Sequence, residues 1–355
     1  EFGVAPEILD ELRKRIDRRI FGYTGVYTHD YYNSFSKWCK EHYDWSFPEE
    51  ELCFTPGIIP ALYQLTETLC NKDEKVLMNT PAYGYFLHSA EYAGVDVLQS
   101  PLKKKPDGTF ELDYENFEQQ CANPQCKMVF WCNPQNPTGR MWTEEELRRI
   151  AGIVEKYNLW IVSDEIHCDL IRCGRKHIPM AKVMTNYPKL ITCMAPSKTF
   201  NLAGLAFSNI IIRDPVLRER FKERDKLFGM VNPMSLTAAK AAYDKGGAWH
   251  EELKQYLDAN FAFVKDFFDK NLPDAVMYIP EATYLAWVDL SKCLPDVEDL
   301  PDFFANKAGV LLEGGNGLFV GNAAGYIRLN LAMPRSILKT GLERMRDTIN
   351  AHNKH

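Results

Sequence analysis

Four short segments of the 355-residue sequence carry side chains whose types fit chemistry better than packing. They supply an amide (Asn136), an acid followed closely by an imidazole (Asp164 and His167), an amine (Lys198) and a guanidinium (Arg328). A desolvated lysine amine is a nucleophile and Schiff-base former, and an arginine fork binds carboxylates. The first three segments directly follow short apolar runs, at the carboxyl ends of predicted buried strands, where α/β sheets bind ligands.

Each segment also has a purely structural interpretation. The Asn-Pro-Gln-Asn-Pro-Thr-Gly run at 133–139 suits a tight turn, and Asp164 could cap a helix. A single lysine is usually a surface residue, and an arginine within a strand usually forms a structural salt bridge. The four segments therefore gain their meaning from occurring together.

The elements that must position these side chains follow an α/β rhythm. Short apolar runs predict strands at 75–78, 95–98, 128–132, 159–163, 190–194 and 206–212. Several of these runs show no alternation, as expected of strands buried on both faces. Between them, Thr143 and Glu146 form a capping-box pattern that predicts a helix to about Tyr157. The expected fold class is α/β, with a large domain built on a mostly parallel central sheet flanked by helices, plus a smaller α+β domain.

The two ends of the chain are predicted to form the smaller domain. After Pro6, apolar residues at 9, 12, 16 and 20 predict a helix, and a second helix is expected at 30–42. Beyond Gly246, a long helix at 249–270, strands at 276–279, 284–289 and 326–331, and a last helix from about Ser336 are expected. We divide the chain into residues 1–22 (N-terminal part of the small domain), 23–247 (large domain) and 248–355 (C-terminal small domain). Residues 311–325, with five glycines, are predicted to be a mobile loop.

Composition excludes several classes of protein. The net charge of −6 gives no general attraction for nucleic acid or anionic membrane, and no apolar run approaches the ~20 residues of a membrane helix. The first residues lack the features of a signal peptide, so a cytoplasmic location is expected. The ten cysteines form no C-x-x-C pair and are expected to be buried thiols, with no metal site.

Taken together, the segments resemble fold-type I pyridoxal-phosphate (PLP) enzymes of the class I and II aminotransferase family. Within it they are most similar to the cystathionine β-lyase and cysteine–sulfur lyase subgroup. The similarity lies at 21–23, 81–83, 133–140, 163–167 with 169–170, 197–201, 283–287 and 328–330 with 334–336.

The resemblance implies a role for each matching residue around the cofactor ring. Lys198 would hold PLP covalently and act as the catalytic base, and Asp164 would pair with the pyridine nitrogen and keep it protonated. Asn136 would donate to the phenolic oxygen, His167 would help tune it, and Tyr83 would stack on the ring.

The resemblance also implies the phosphate site. Gly57, Ile58 and Ile59 match a helix start whose free N–H groups bind the phosphate, with Ser197 as a further ligand. Many relatives have serine where this chain has Ala195, a contact that Ser197 can replace.

Substrate and partner contacts complete the implied site. Arg328 would clamp the substrate α-carboxylate, and Tyr284 would contact the substrate. Tyr23 would reach the phosphate of a partner subunit, which implies a homodimer with shared active sites. The family also has a segment ahead of a motif resembling Glu1-Phe2 that lines the active-site mouth.

The implied activity is a PLP-dependent C–S β-lyase that cleaves cystathionine or cysteine-type amino acids to a thiol, pyruvate and ammonia. The alternative is a PLP-dependent aminotransferase, which shares the steps up to removal of the Cα proton. A catalytically idle binding protein is a third possibility, against which the intact set of Asn136, Asp164, Lys198 and Arg328 argues.

Overall fold

The computed structural model describes residues 2–225 and 231–354. The strands are β1 (Leu52–Thr55), β2 (Lys75–Thr80), β3 (Ala82–Tyr83), β4 (Asp96–Pro101), β5 (Lys103–Lys104), β6 (Phe110–Glu111), β7 (Cys126–Cys132), β8 (Trp160–Asp164), β9 (Leu190–Met194), β10 (Ser208–Ile212), β11 (Val276–Met277), β12 (Leu285–Asp289), β13 (Glu313–Gly314), β14 (Phe319–Val320) and β15 (Tyr326–Asn330). The helices are α1 (Pro6–Asp17), α2 (Thr28–Tyr43), α3 (Ile58–Leu69), α4 (Gly84–Tyr92), α5 (Tyr114–Cys121), α6 (Glu144–Lys156), α7 (Met180–Val183), α8 (Pro215–Asp225), α9 (Pro233–Lys245), α10 (Gly247–Asn271), α11 (Leu300–Ala308), α12 (Gly315–Leu318) and α13 (Arg335–His352).

Within the described residues, seven strands form a central sheet in the order β1-β10-β9-β8-β7-β2-β4. The five strands from β9 to β4 run parallel, whereas β10 is antiparallel to β9 and β1 is antiparallel to β10. Strands β9 and β10 are buried along their whole length, which explains why both are rich in apolar residues, although Thr192, Ser208 and Asn209 are buried polar residues within them. The predicted α/β fold with a mostly parallel sheet is confirmed.

Helix α6 shows how the sequence sets the flanking layer. The Thr143 hydroxyl accepts the backbone N–H of Glu146 at 3.2 Å, and the Glu146 carboxylate accepts the N–H of Thr143 at 2.9 Å. This is the predicted capping box, which fixes where the helix begins. Leu147, Ile150 and Val154 then bury the apolar face of the helix in the core.

A second, antiparallel sheet of the described residues has the order β11-β12-β15-β13. Helices α10, α11 and α13 share one hydrophobic core with it, including Phe261, Phe304, Ile327 and Leu342. Arg328 lies in the middle of β15, opposite Trp287 on β12 and Glu313 on β13. This sheet therefore positions the predicted carboxylate clamp.

Three details differ from the sequence predictions. Strand β1 was not predicted, and α1 ends at Asp17, so Ile20 lies beyond the helix and is exposed. The predicted loop at 311–325 contains β13, α12 and β14, and β14 pairs with β3 next to Tyr83. These glycine-rich residues are held by backbone pairing with two separate strands.

The domain limits stay a prediction. Helix α1 packs against α9, and the Phe2 ring contacts the Tyr256 ring of α10 with centroids 5.2 Å apart. Glu1 of the predicted N-terminal motif and His355 at the predicted C-terminal limit lie outside the described residues. Across 2–225 and 231–354, none of the helices combines the length and apolar character needed to cross a membrane.

Candidate active site

The carboxyl ends of three neighbouring parallel strands bring the predicted site together. In the register of the central sheet, Cys132 of β7 lies beside Asp164 of β8, which lies beside Cys193 of β9. The segments that follow these strands carry Asn136, His167 and Lys198 respectively. Because parallel strands end at the same edge of a sheet, three regions that are distant in sequence meet there.

A cavity of about 1300 Å³ opens above this edge. Its walls include every predicted site residue except Tyr23: Gly57, Ile58, Ile59, Tyr83, Asn136, Asp164, His167, Ser197, Lys198, Tyr284 and Arg328. Tyr23 lies on the surface, 85% exposed, and does not line this cavity. Its predicted contact with a partner subunit stays a prediction.

Asp164 is a buried carboxyl at the last position of β8. One oxygen accepts the backbone N–H of Ile166 at 3.1 Å, and the chain then enters the short helical turn Cys168–Leu170 rather than an α-helix. Burial raises the pKa of Asp164 to about 7, although the Ile166 N–H and the charge of Lys198 act in the opposite direction. The charged form of this carboxyl is therefore unfavourable by itself, and a cationic partner would stabilise it.

His167 is buried and neutral. Burial is the main cause that lowers its pKa to about 3, and the charges of Lys198 and Arg328 add to it. The His167 ring lies 6.0 Å from the ring of Tyr284, and its Nδ1 makes no hydrogen bond within the described part of the chain. A buried, unpaired imidazole nitrogen on a cavity wall is suited to bonding a ligand.

The turn that carries Lys198 is anchored by Asp169. The Thr199 hydroxyl donates to Asp169 Oδ2 at 3.0 Å, and Trp38 Nε1 and the Tyr43 hydroxyl of α2 both donate to Oδ1. The buried Asp169 thus connects α2 to the residue after the lysine. From the sequence, Asp169 is recognised only as part of a family motif. Its role as an anchor is not predicted, because its three partners are far apart in the chain.

Arg328 joins the two sheets at the site. Its Nη1 donates to the amide oxygen of Asn136 at 2.8 Å, and its Nε donates to Glu313 Oε2 at 2.9 Å, which also accepts Nη2. The guanidinium lies 4.9 Å from the centroid of the Phe319 ring and 5.5 Å from that of Tyr83. With its oxygen engaged by Arg328, the Asn136 amide has its NH₂ group left to donate. Sequence reasoning did not identify Glu313 or Phe319.

An anion site adjoins this cluster at the start of α3. Gly57 is the N-cap residue, and no described side chain caps the helix, so the N–H groups of Ile58 and Ile59 have no partner inside the helix. Ser197 and the buried Ser208 line the same cavity. Free N–H groups at a helix N-terminus together with hydroxyls favour a phosphate. Ser208 was not predicted, since it stands at the start of a strand with no motif around it.

These residues fit pyridoxal phosphate. The cavity offers an amine for the aldehyde, a carboxyl that needs a cation for the pyridine nitrogen and an amide donor for the phenolic oxygen. It also offers a helix start for the phosphate and apolar surface from Ile166 for the ring. Among the residues that the structure covers, no group of histidine, cysteine or acidic side chains could hold a metal ion.

Comparison with known proteins agrees with this reading of the cavity. Residues 2–345 match the family model described as aminotransferase class I and II. Cystathionine beta-lyase PatB of Bacillus subtilis is 36% identical over 349 residues, which cover 96% of this chain and 89% of PatB. Protein MalY of Escherichia coli is 30% identical over 99% of this chain and 90% of its own length.

A solved structure gives the same result for the fold. The PLP-bound C-S lyase from Staphylococcus hominis has a TM-score of 0.95 and 42% sequence identity, and the match covers 98% of this chain and 89% of that one. The predicted family and fold type are therefore confirmed.

Proposed function

The chain belongs to the class I and II aminotransferase family, and from this premise we propose that its cavity performs carbon–sulfur β-elimination with pyridoxal phosphate. The substrate is a cystathionine- or cysteine-type amino acid, and the products are a thiol, pyruvate and ammonia. The names of PatB and of the Staphylococcus hominis enzyme support a lyase. The observation that carries the site assignment is the convergence of Lys198, Asp164, Asn136 and Arg328 on one cavity.

Asp164, Asn136 and His167, which line the cavity, would hold and polarise the cofactor. When bound, pyridoxal phosphate supplies an electron sink for the electron pair left at Cα of the amino acid. Asp164 would keep the pyridine nitrogen protonated, and that cation would in turn hold the buried carboxylate in its charged form. The Asn136 NH₂ group would donate to the phenolic oxygen, and neutral His167 would adjoin it without adding charge.

Other residues of the cavity would orient the substrate and transfer the proton. Arg328 would bind the α-carboxylate, and Tyr284 would contact the rest of the amino acid. Lys198 would first hold the cofactor and then, once released by the substrate, take the Cα proton with its neutral amine. Departure of the thiolate from Cβ completes the elimination, and water releases pyruvate and ammonia.

A steady-state assay separates the lyase from an aminotransferase. Holoenzyme with cystathionine and no 2-oxo acid should form pyruvate and thiol continuously, whereas Lys198→Ala should form neither. An aminotransferase would stop after one equivalent and resume when 2-oxoglutarate is added. That second pattern would overturn the proposed lyase activity.

A homodimer with shared sites is part of the proposal. Exposed apolar residues cluster around the end of α1 and the following segment: Ile16, Ile20, Phe21, Tyr23 and Tyr27. Several large apolar side chains exposed within one short stretch of chain are typical of a protein–protein contact. A second copy that covers it would carry Tyr23 into the neighbouring cavity.

Mixed dimers test the shared site. Lys198→Ala protomers are expected to give inactive homodimers and Tyr23→Phe protomers weakly active ones, but a hybrid contains one site with both residues intact. An equal mixture, refolded together, should therefore recover about a quarter of the wild-type activity. Activity no greater than the average of the two variants would show that Tyr23 does not act across the dimer.

A cytoplasmic location is proposed from the cysteines. All ten lie within the described ranges and none of them is in a disulfide, as expected of a protein from a reducing compartment. Cell fractionation would test it, and recovery in an oxidising compartment would contradict it.

A further inference from the structure

The guanidinium that the proposed function assigns to the substrate is already bound to a carboxylate of this chain. Nε and Nη2 of Arg328 both donate to Glu313 Oε2, while Nη1 donates to Asn136. Each guanidinium nitrogen therefore has a partner. A two-pronged substrate carboxylate that binds through Nε and Nη2 must displace Glu313, and one that binds through Nη1 and Nη2 must share the guanidinium charge with Glu313.

Backbone pairing holds Glu313 at this position. Glu313 and Arg328 are direct cross-strand neighbours in the antiparallel pair β13–β15, a register that places side chains of one face in contact. The next residue, Gly314, lies so close to β15 that a Cβ there would be 2.5 Å from the carbonyl oxygen of Tyr326. Only glycine permits this approach, which brings Glu313 up to Arg328.

The two partners differ in their exposure to water. The Arg328 side chain is 7% exposed, whereas that of Glu313 is 50% exposed and forms part of the cavity wall. Rotation of Glu313 away from Arg328 would hydrate its carboxylate, but it would leave a buried guanidinium without a counter-charge. A ligand that supplies its own carboxylate removes that penalty, so the exchange favours carboxylate-bearing ligands.

We propose that Glu313 is a specificity-determining residue that competes with the substrate α-carboxylate for Arg328 and leaves the guanidinium when an amino acid binds. The inference rests on the proposed function in one respect, the assignment of the substrate carboxylate to Arg328. The competition weakens the binding of every carboxylate ligand by the same factor, product pyruvate included. Glu313 thereby limits how tightly the site retains its own product.

The charge of Glu313 is removed with little change of shape in Glu313→Gln. A glutamine can still accept one hydrogen bond from Arg328, but it no longer offers a counter-charge. We expect KM for cystathionine and the inhibition constant of pyruvate both to fall about fivefold, the upper end of the effect expected for a partly exposed ion pair. Glu111→Gln is the matched control, because Glu111 is also half exposed and paired with a lysine, but lies outside the cavity.

Ligand binding without turnover isolates the competition. L-Alanine has no leaving group on Cβ, and L-alaninamide lacks the carboxylate. Calorimetric titration of the holoenzyme should show L-alanine binding about fivefold more tightly to Glu313→Gln than to wild type, with no change for L-alaninamide. Glu313→Ala should shift L-alanine affinity in the same direction.

Two results would overturn the inference. Weaker L-alanine binding in Glu313→Gln would mean that Glu313 holds Arg328 in place for the substrate. Equal affinities, or an equal gain for L-alaninamide, would mean that Glu313 does not compete for the carboxylate. Failure of the proposed lyase function is separate, since it would appear as absence of pyruvate from cystathionine whatever the L-alanine affinities are.

Discussion

Replacement of Asp164 by asparagine should stabilise the cofactor-free protein while impairing the holoenzyme. The asparagine side chain would keep the oxygen that accepts the Ile166 N–H, but it would remove the ionisable group. In the cofactor-free protein, burial raises the pKa of Asp164 from 3.8 to about 7. The folded protein therefore keeps a proton on this carboxyl over a range in which the unfolded chain has lost it.

The sign and size of the effect follow from this difference. As pH rises from about 4 to about 7, the unfolded state binds fewer protons than the folded state, so wild-type stability falls; above about 7 the loss is complete. At 1.36 kcal/mol per pKa unit, the loss amounts to ~4 kcal/mol. With an unfolding entropy of about 0.75 kcal/mol/K for a chain of 355 residues, this corresponds to about 5 °C in Tm.

Thermal unfolding at several pH values, with and without PLP, measures the effect. Without PLP, the Tm of Asp164→Asn should exceed that of wild type by about 5 °C at about pH 8, and the difference should vanish near pH 4. Added PLP should raise the Tm of wild type more than that of the variant, because only the carboxylate pairs with a pyridinium. Parallel profiles of Tm against pH for the two cofactor-free proteins would refute the conclusion that burial raises the pKa of Asp164.

Three further predictions concern the substrate, the imidazole and the fold. Arg328→Lys keeps the charge but loses the fork, so KM for cystathionine should rise at least tenfold in steady-state assays; an unchanged KM would contradict the clamp. Burial lowers the pKa of His167 to about 3, so this residue should show the ¹⁵N shifts of a neutral ring from about pH 5 to about pH 9. The unfolding free energy should fall as pH drops below 6.5, the ordinary pKa of histidine, because the unfolded chain then binds a proton that the folded protein does not. A cationic ring at neutral pH would contradict the effect of burial. Thr143→Ala removes one half of the capping box, so denaturant titrations should show an unfolding free energy lower by about 1 kcal/mol, with KM unchanged. An unchanged unfolding free energy would argue against the cap.

The parts of the site that lie at strand ends could be predicted from the sequence. Asn136, Asp164 and Lys198 follow apolar runs that have no alternation, and such runs predict buried parallel strands whose carboxyl ends meet. The register of β7, β8 and β9 places the ends of these strands side by side. The roles of these residues came from the family resemblance, since a strand end alone does not assign chemistry.

The parts that depend on pairing between distant segments could not be predicted. Glu313 stands in a glycine-rich stretch that suggests a loop, and its contact with Arg328 exists only because β13 pairs with β15 in one register. Asp169 gathers partners from α2 and from the lysine turn, which no local pattern connects. Strand β1 has four residues and follows three consecutive glutamates, too short a run to show a period.

The apolar residues of α1 show a different limit. Their helical spacing predicts a buried face, yet Leu9 and Ile16 are exposed in the single chain. Periodicity indicates that a face is covered, but not whether this chain or another copy covers it.

Reduction of the holoenzyme with borohydride, followed by digestion and mass spectrometry, tests the central claim most directly. Reduction makes the link between cofactor and lysine permanent, so the modified residue can be read from the peptide masses. The account predicts one phosphopyridoxyl group per chain, located on Lys198. A label on another lysine, or no label in protein saturated with pyridoxal phosphate, would contradict it.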